Sequence, residues 1–210
     1  MNDTDIIKLD DVSEQQTRRD LTKSLGKVKP RPKIKFFHKD EILSLLAGVP
    51  VGKERAFFQF LWMTGCRVTE AITLTRAHID FKNDELTIRW QKSRKFKERV
   101  IPMHRQLKEI LLMYSATLLY DKRLFPWTRQ NAYYMCTKYG FGNPHKLRHS
   151  YAVHFIRSNK DPSALVYLQT LLGHSNIRTT TEYLNFVPQH IKPALDSVDY
   201  MTPTPERDMF

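Results

Sequence analysis

The sequence predicts a mainly α fold with one small antiparallel β-sheet, the α+β class. Apolar residues recur at helical spacing, three or four positions apart, through most of residues 36–187. One stretch, residues 86–103, instead contains short runs in which polar and apolar residues alternate, as in a half-buried strand. Hydrophobic residues make up 41% and aromatic residues 11% of the 210-residue chain, which is enough to form a core.

Three helices are predicted first. Apolar side chains at residues 42–49 share one helical face. A second helix covers about residues 54–64, and Gly65 follows it as a candidate left-handed cap, because glycine adopts a positive φ without steric cost. The third helix is short and covers about residues 68–74.

A β-hairpin is predicted next. Residues 86–90 alternate as a strand does, and residues 99–103 are predicted as the partner strand. Pro102 lacks a backbone N–H, so it belongs at a sheet edge or at the end of its strand. The intervening residues 91–98 are strongly charged and are predicted as the hairpin tip.

Helical patterns then continue to the end of the predicted fold. Pro144 suits the first turn of a helix, where no backbone N–H is needed, and Gly173 is placed to end another. In all, this part of the chain is predicted to form five helices, at about residues 107–118, 128–139, 144–157, 162–172 and 177–184.

The two ends of the chain are predicted to lie outside this fold. Residues 1–35 are expected to form a mobile arm, acidic up to residue 16 and basic after it. The basic half either follows a phosphate backbone or is a solvated tail. Residues 188–210 contain four prolines and are expected to be extended in part.

The charge of the chain indicates a polyanionic partner. Lys and Arg number 34 and Asp and Glu 22, so the formal net charge is +12. This excess favours nucleic acid first and an anionic membrane surface second. The sequence has no run of the roughly 18 apolar residues that a membrane span needs, so no membrane partner is expected.

The cysteines and the N-terminus favour a reducing, cytoplasmic setting. Cys66 and Cys136 are the two cysteines, too few for a disulfide framework or a four-thiolate zinc site. The acidic start of the chain lacks the apolar segment of a secretory signal.

The first segment that could carry chemistry is residues 64–70. Arg67 directly follows the glycine-ended helix and stands at the start of the next one. A planar guanidinium and helix N-terminal amides there suit two phosphate oxygens. Glu70 either orients this guanidinium or forms an ordinary ion pair with it.

The second segment is residues 144–149. His145 and Arg148 are three positions apart, so one helical face pairs a proton acceptor with a fixed cation. His145 and His149 have a spacing that can hold zinc, but no glutamate follows His145 and two cations lie between the histidines. A metal is therefore not expected.

The third segment is residues 171–183. Gly173 predicts a tight turn from which His174 projects, and Tyr183 follows nine residues after His174. A tyrosine is usually a packing residue. Here Thr181 and Glu182 are polar neighbours, so the hydroxyl group of Tyr183 is predicted to be exposed.

Together these segments indicate metal-free attack on a phosphodiester by a phenolate. This set of residues lacks the acidic pairs of metal-assisted phosphoryl transfer and the glycine-rich loop that binds nucleotide phosphates. Arginine and histidine donors would stabilise the charge that builds on the non-bridging oxygens. A covalent phosphotyrosine would conserve the bond energy for rejoining.

The three segments resemble the sequence boxes of the tyrosine recombinases, the phage integrase family. Residues 64–70 resemble its first arginine box, residues 145–148 its His-x-x-Arg box, and residues 172–183 its Leu-Gly-His box with the tyrosine nine residues on. Their order and spacing agree, and the resemblance covers about residues 36–187, the predicted catalytic domain. It implies the family's catalytic-domain fold.

The resemblance implies a role for each matched residue. Tyr183 corresponds to the nucleophile, which forms a 3′-phosphotyrosyl link and releases a 5′-hydroxyl. Arg67 and Arg148 correspond to the two phosphate-binding arginines. His145 corresponds to the residue that helps take the tyrosine proton, and His174 to the second histidine, which donates to the phosphate.

Two supporting roles are also implied. Glu70 corresponds to the acidic residue that supports the first arginine. The family uses a hairpin lysine as general acid, but alignment on residues 97–102 puts Arg94 at that position, and arginine does not readily give up a proton. Lys92 is preferred because it shares the strand face of Arg94, and Lys95 is the alternative.

The resemblance and the charge pattern together give a DNA-contacting set and a list of partners. No cofactor is expected. The partners expected are double-stranded DNA with specific recombination sites, three further copies of the chain on that DNA, and an accessory DNA-bending protein or a partner recombinase. The DNA-binding residues predicted are Arg89, Arg94, Lys95, Lys97, Arg99 and Lys146.

The expected function is site-specific recombination by integration, excision, inversion or resolution, in the cytoplasm and associated with the nucleoid. Only about 35 residues precede the predicted catalytic domain, whereas most members carry a helical DNA-clamping domain there. Three explanations are open: the basic arm substitutes in part, a partner protein supplies the second half of the clamp, or the chain is a compact member of the family. The tail 188–210 resembles the region that docks on a neighbouring protomer. The alternatives are a catalytically weak DNA-binding regulator of the same fold and a type IB topoisomerase.

Overall fold

The computed structural model describes residues 34–92 and 95–186, with only the backbone described for Lys92. The predicted tail 188–210 and nearly all of the predicted arm 1–35 lie outside this part of the chain. So does Arg94.

The described residues form helices at almost every position that the sequence predicts. Two short 3₁₀ helices, Arg76–His78 and Glu182–Phe186, accompany them. The α-helices are α1 Lys39–Ala47, α2 Lys53–Thr64, α3 Val68–Thr73, α4 Arg105–Ser115, α5 Arg129–Lys138, α6 Pro144–Ser158, α7 Ala164–Leu172 and α8 Arg178–Thr181.

The helix ends follow the predicted local chemistry. Gly65 and Gly173 take left-handed φ values of 63° and 64° at the ends of α2 and α7, as predicted. The side chain of Asn143 accepts a hydrogen bond from the backbone N–H of His145, and Pro144 fills the first turn of α6. The predicted final helix, 177–184, is instead α8 followed directly by the second 3₁₀ helix.

A three-stranded antiparallel sheet has the order β1 Ile79–Asp80, β2 Glu85–Lys92 and β3 Lys95–Pro102. The mainly α fold with a small antiparallel sheet is thus confirmed, and β3 ends at Pro102 as expected. The two-residue β1 was not predicted because so short a strand has no alternating pattern.

The prediction of a charged tip over residues 91–98 is wrong. The strand pairing continues to Lys92 opposite Lys95, so the strands run through most of the charged segment. Arg89 faces Glu98 across the strands, and the Nε of Arg89 lies 2.6 Å from a carboxylate oxygen of Glu98. Opposite charges on facing residues support strand pairing, which explains why a charged sequence stays in the ladder.

Aromatic residues pack around α2 at the centre of the core. Phe57 and Phe58 of α2 are fully buried. The Phe58 ring stacks on Phe141 at 4.3 Å between centroids, and Phe57 meets Phe125 edge-on at 5.2 Å. Leu147 of α6 belongs to the same core, as predicted. Burying each such ring contributes about 1.5–3 kcal/mol of stability. Helix α6 packs directly on α2, which holds the second sequence segment beside the first.

Candidate active site

Arg67 lies at the junction of α2 and α3, as the sequence predicts. It is the N-cap residue of α3, and its side chain is 36% exposed. Its backbone N–H donates to Oε2 of Glu70 at 2.9 Å, and its guanidinium donates to Oε1 at 2.8 Å. Glu70 therefore orients Arg67 and forms an ion pair with it at the same time.

Arg67, His145 and Arg148 meet at one cavity of about 230 Å³. Two sequence segments that lie far apart in the chain are thus brought together. Arg129 and Tyr133 of α5 also line this cavity, and sequence reasoning missed both because nothing distinguishes them from other surface residues. The remaining lining residues are Cys66, Val68, Thr69 and Pro144.

Arg148 joins the first and third segments through their backbones. Its side chain is buried, with Nη1 donating to the carbonyl of Gly65 and Nη2 to the carbonyl of Leu172, both at 2.8 Å. Burial and then the positive charge of Arg67 lower the pKa of Arg148 to about 10. The guanidinium stays charged at neutral pH and lines the cavity.

The imidazoles of His145 and His174 are both biased toward the neutral form. Burial and then the charges of Arg148, Arg67 and Arg129 lower the pKa of His145. Burial and the nearby arginines lower the pKa of His174 to about 4. Nδ1 of His174 lies 2.9 Å from Oγ1 of the buried Thr180, which fixes the ring after the turn at Gly173.

The hydroxyl group of Tyr183 is not exposed, contrary to the prediction. The residue is 2% exposed, and its hydroxyl oxygen lies 2.8 Å from Nδ1 of His149. The 3₁₀ helix that carries Tyr183 packs on α6, so the polar neighbours Thr181 and Glu182 stay at the surface while the ring turns inward. Burial raises the pKa of Tyr183, although the charge of Arg148 opposes that shift.

Arg99, which is predicted to contact DNA, has its side chain turned inward in the structure. Its side chain is 7% exposed, because Arg99 pairs with the fully buried Ile88 on the inner face of the hairpin. Its Nε donates to the carbonyl of Leu171 at 3.1 Å, and its two terminal nitrogens donate to Glu70. Arg99 is instead a buried link between β3, α3 and the end of α7.

The other predicted DNA-contacting residues that the structure describes differ in their surroundings. Arg89, Lys95 and Lys97 are exposed on the hairpin, although Arg89 also pairs with Glu98. The Nζ of Lys146 lies 3.4 Å above the Phe37 ring. The choice of Lys92 or Lys95 as the hairpin general acid stays a prediction.

The chain matches the phage integrase family over residues 35–190. It belongs to this family, the tyrosine recombinases. It is 31% identical over 185 residues to "Tyrosine recombinase XerA" of Thermococcus onnurineus, covering 79% of this chain and 63% of that protein. The chain thus spans about three fifths of the length of this curated relative.

Solved structures with the same fold include catalytic domains of integrases. The catalytic domain of the bacteriophage HP1 integrase has a TM-score of 0.60 at 23% identity, covering 79% of this chain and 95% of that one. The Tn1549 transposon integrase, solved in complex with circular intermediate DNA, has a TM-score of 0.58 at 19% identity, covering 84% and 68%. In the described part of this chain, no helix has the length and apolar character to cross a membrane.

Proposed function

We propose that this protein is a site-specific DNA recombinase that cleaves and rejoins DNA through a 3′-phosphotyrosyl intermediate. The observation that carries the proposal is the bridge made by Arg148, whose guanidinium binds the carbonyls of Gly65 and Leu172 and also lines the cavity with Arg67 and His145. Two motif segments of one known family therefore line a cavity rich in cations, and the third is tied to it through the hydrogen bond from Arg148 to the carbonyl of Leu172.

The cavity has the chemistry to hold a phosphodiester. Arg67, Arg129 and Arg148 supply three positive charges around about 230 Å³. The scissile phosphate would accept hydrogen bonds from Arg67 and Arg148, and His174 would donate to it from the Gly173 turn. Donors fixed before the reaction stabilise the charge of the pentacoordinate transition state without further reorganisation.

The cleavage step exchanges one phosphate ester for another. The oxygen of Tyr183 forms a bond to phosphorus, and the bond between phosphorus and the 5′-oxygen breaks. The phenol proton passes to His145, whose lowered pKa leaves its imidazole neutral and able to accept it. The leaving 5′-oxygen takes a proton from Lys92, or from Lys95 as the alternative. Attack of a partner strand's 5′-hydroxyl on the phosphotyrosine reverses these steps and rejoins DNA.

The partners follow from this chemistry. The substrate is double-stranded DNA with specific recombination sites, held in part by Arg89, Lys95, Lys97 and Lys146. Strand exchange between two sites needs four cleavages, so we propose a homotetramer on DNA. An accessory DNA-bending protein or a partner recombinase would complete the assembly, which would act in association with the nucleoid.

A nicked suicide substrate that carries a candidate recombination site tests the proposal. The wild-type protein should leave a protein–DNA adduct that survives SDS, and Tyr183→Phe should abolish it while a gel shift still shows binding. Tyr120→Phe, at an exposed tyrosine, is the matched control and should form the adduct normally. An undiminished adduct in Tyr183→Phe would overturn the assignment.

The adduct assay separates the first alternative from the proposal, and a supercoil-relaxation assay separates the second. A DNA-binding regulator would form no adduct on any nicked or junction substrate. A type IB topoisomerase would relax supercoiled DNA as a dilute monomer without recombinant products.

A further inference from the structure

His174 is fixed by hydrogen bonds at its backbone and at one of its two ring nitrogens. Its backbone N–H donates to the carbonyl of Gln169 at 3.1 Å, and its own carbonyl accepts from the Gln169 side-chain amide at 3.2 Å. On the ring, Nδ1 lies 2.9 Å from Oγ1 of Thr180, a residue that is fully buried. Among residues 34–92 and 95–186, no group makes a hydrogen bond to the other ring nitrogen, Nε2.

This second nitrogen of His174 is accessible and lies in a cationic environment. In the part of the chain that the structure describes, Oγ of Ser115 is the one buried side-chain nitrogen or oxygen without a hydrogen-bond partner, so Nε2 of His174 must be open to solvent. The charges of Arg148 and Arg67 contribute to the lowered pKa of His174, so the ring lies near two cations of the cavity. One nitrogen is therefore tied inward, and the other is available to an anion.

We propose that Thr180 is a positioning residue that selects the tautomer of His174 in which Nε2 carries the proton and donates a hydrogen bond to the phosphate. The inference rests on the proposed function, because it takes His174 as a donor to the scissile phosphate. A neutral imidazole has one N–H group, and the nitrogen that carries it is set by the hydrogen bond that the other nitrogen makes. Thr180 acts through His174 and does not itself contact the phosphate.

The balance of donors and acceptors decides the direction of the bond between Thr180 and His174. Within the described ranges, Nδ1 of His174 is the one hydrogen-bond partner of the Thr180 hydroxyl group. If this hydroxyl donates, Nδ1 accepts, and the ring proton is on Nε2. If Nδ1–H donated instead, the hydroxyl proton would be buried without an acceptor, which is costly. Burial and the nearby arginines lower the pKa of His174 to about 4, so the ring is neutral at pH 7 and the choice of tautomer matters.

Heteronuclear NMR of the histidine ring nitrogens in the isotope-labelled free protein tests the tautomer directly. A long-range proton–nitrogen correlation spectrum at pH 7 separates protonated from unprotonated ring nitrogens, and His174→Ala identifies the His174 signals by their loss. In wild type, Nδ1 should be unprotonated and Nε2 protonated. Thr180→Val replaces the hydroxyl group with a methyl group. Both tautomers should then be populated, so the two nitrogen signals should move toward each other.

Matched variants separate the hydroxyl group of Thr180 from its packing. Thr180→Ser keeps the hydroxyl group and should keep the wild-type tautomer. Thr179→Val makes the same chemical change at the exposed neighbouring threonine and should leave the His174 signals unchanged. If circular dichroism shows that Thr180→Val is unfolded, Thr180→Ala tests the same loss with a smaller side chain.

Formation of the phosphotyrosyl adduct gives the second measurement. On a saturating nicked substrate, Thr180→Val should form the adduct about tenfold more slowly than wild type, the effect of one hydrogen bond. Thr180→Ser and Thr179→Val should form it at the wild-type rate. In the His174→Ala background, Thr180→Val should slow the adduct no further, because Thr180 acts only through the imidazole.

Three results would each overturn the inference. The first is a wild-type spectrum in which Nδ1 of His174 carries the proton, and the second is an unchanged tautomer in folded Thr180→Val. The third is a full tenfold loss from Thr180→Val in the His174→Ala background, which would make the role of Thr180 merely structural. Failure of the proposed function looks different, because wild type would then form no adduct while the NMR spectrum still reports which nitrogen of His174 is protonated.

Discussion

Arg99 and Glu70 form a buried ion pair with two hydrogen bonds, Nη1 to Oε1 at 3.2 Å and Nη2 to Oε2 at 2.9 Å. Their side chains are 7% and 1% exposed. Burial alone would raise the pKa of Glu70, but hydrogen bonds from Arg99 and from the Arg67 backbone outweigh it, and the pKa is lowered. Since Glu70 also binds the Arg67 guanidinium, this carboxylate connects the β2–β3 hairpin to the cavity.

Glu70→Gln should strongly destabilise the protein. It leaves the Arg99 guanidinium buried without its counter-charge, and breaking a buried pair costs about 3–5 kcal/mol of unfolding free energy. Urea unfolding measures the loss. Glu98→Gln makes the same chemical change at the exposed pair with Arg89 and should cost under about 1 kcal/mol. Equal losses in the two variants would contradict the structural importance of the buried pair.

Gly65→Ala should cost more stability than Gly142→Ala. Both glycines have nearly the same left-handed φ, 63° and 62°. An alanine at either position would therefore carry the same backbone strain of about 1 kcal/mol. A Cβ at Gly65 would lie 2.4 Å from Cδ1 of Tyr151, whereas one at Gly142 meets nothing within 4 Å. We expect an additional loss of about 1–3 kcal/mol at Gly65 from overpacking.

Thermal or urea unfolding of the two glycine variants measures this difference directly. A Gly142→Ala loss as large as that of Gly65→Ala would mean that strain rather than packing decides the cost.

Folding stability should fall as the pH decreases from 7 to 5. Burial lowers the pKa values of His149 and His174 from 6.5 to about 4 in the native protein. Over this range the unfolded chain binds protons that the native state excludes, so unfolding is favoured as pH falls. The part of the folding stability that depends on these two neutral histidines is fully present above about pH 6.5 and is lost toward pH 4.

His174→Asn isolates one of the two groups. The slope of unfolding free energy against pH between 7 and 5 should be smaller in this variant than in wild type, whatever its stability at pH 7. An unchanged slope would show that His174 titrates normally in the native state.

Lys97→Ala should weaken DNA binding and its dependence on salt. Lys97 is exposed on β3, and a lysine that neutralises one phosphate contributes about 0.9 to the slope of log K against log salt. Fluorescence anisotropy from about 50 to 200 mM salt measures the slope. Lys108 already pairs with Asp84, so Lys108→Ala should leave it unchanged. A wild-type salt slope in Lys97→Ala would show that Lys97 does not contact a DNA phosphate.

Much of the fold was predictable because its determinants are local. Helical spacing located α2 and α6 to within one residue at their starts, and the left-handed caps at Gly65 and Gly173 depend on one residue's backbone freedom. The shared face of His145 and Arg148 likewise follows from a spacing of three on a helix. The domain boundaries and the roles of the hairpin lysines stay predictions.

The sequence by itself determined which residues match the motifs of the family, because motif order and helical period are properties of the chain alone. The tertiary structure decided where those residues point. Arg99 turned inward because its strand partner is the buried Ile88, and Tyr183 turned inward because its 3₁₀ helix packs on α6 beside His149. Both outcomes depend on contacts between segments more than ten residues apart in the chain, which no local pattern encodes.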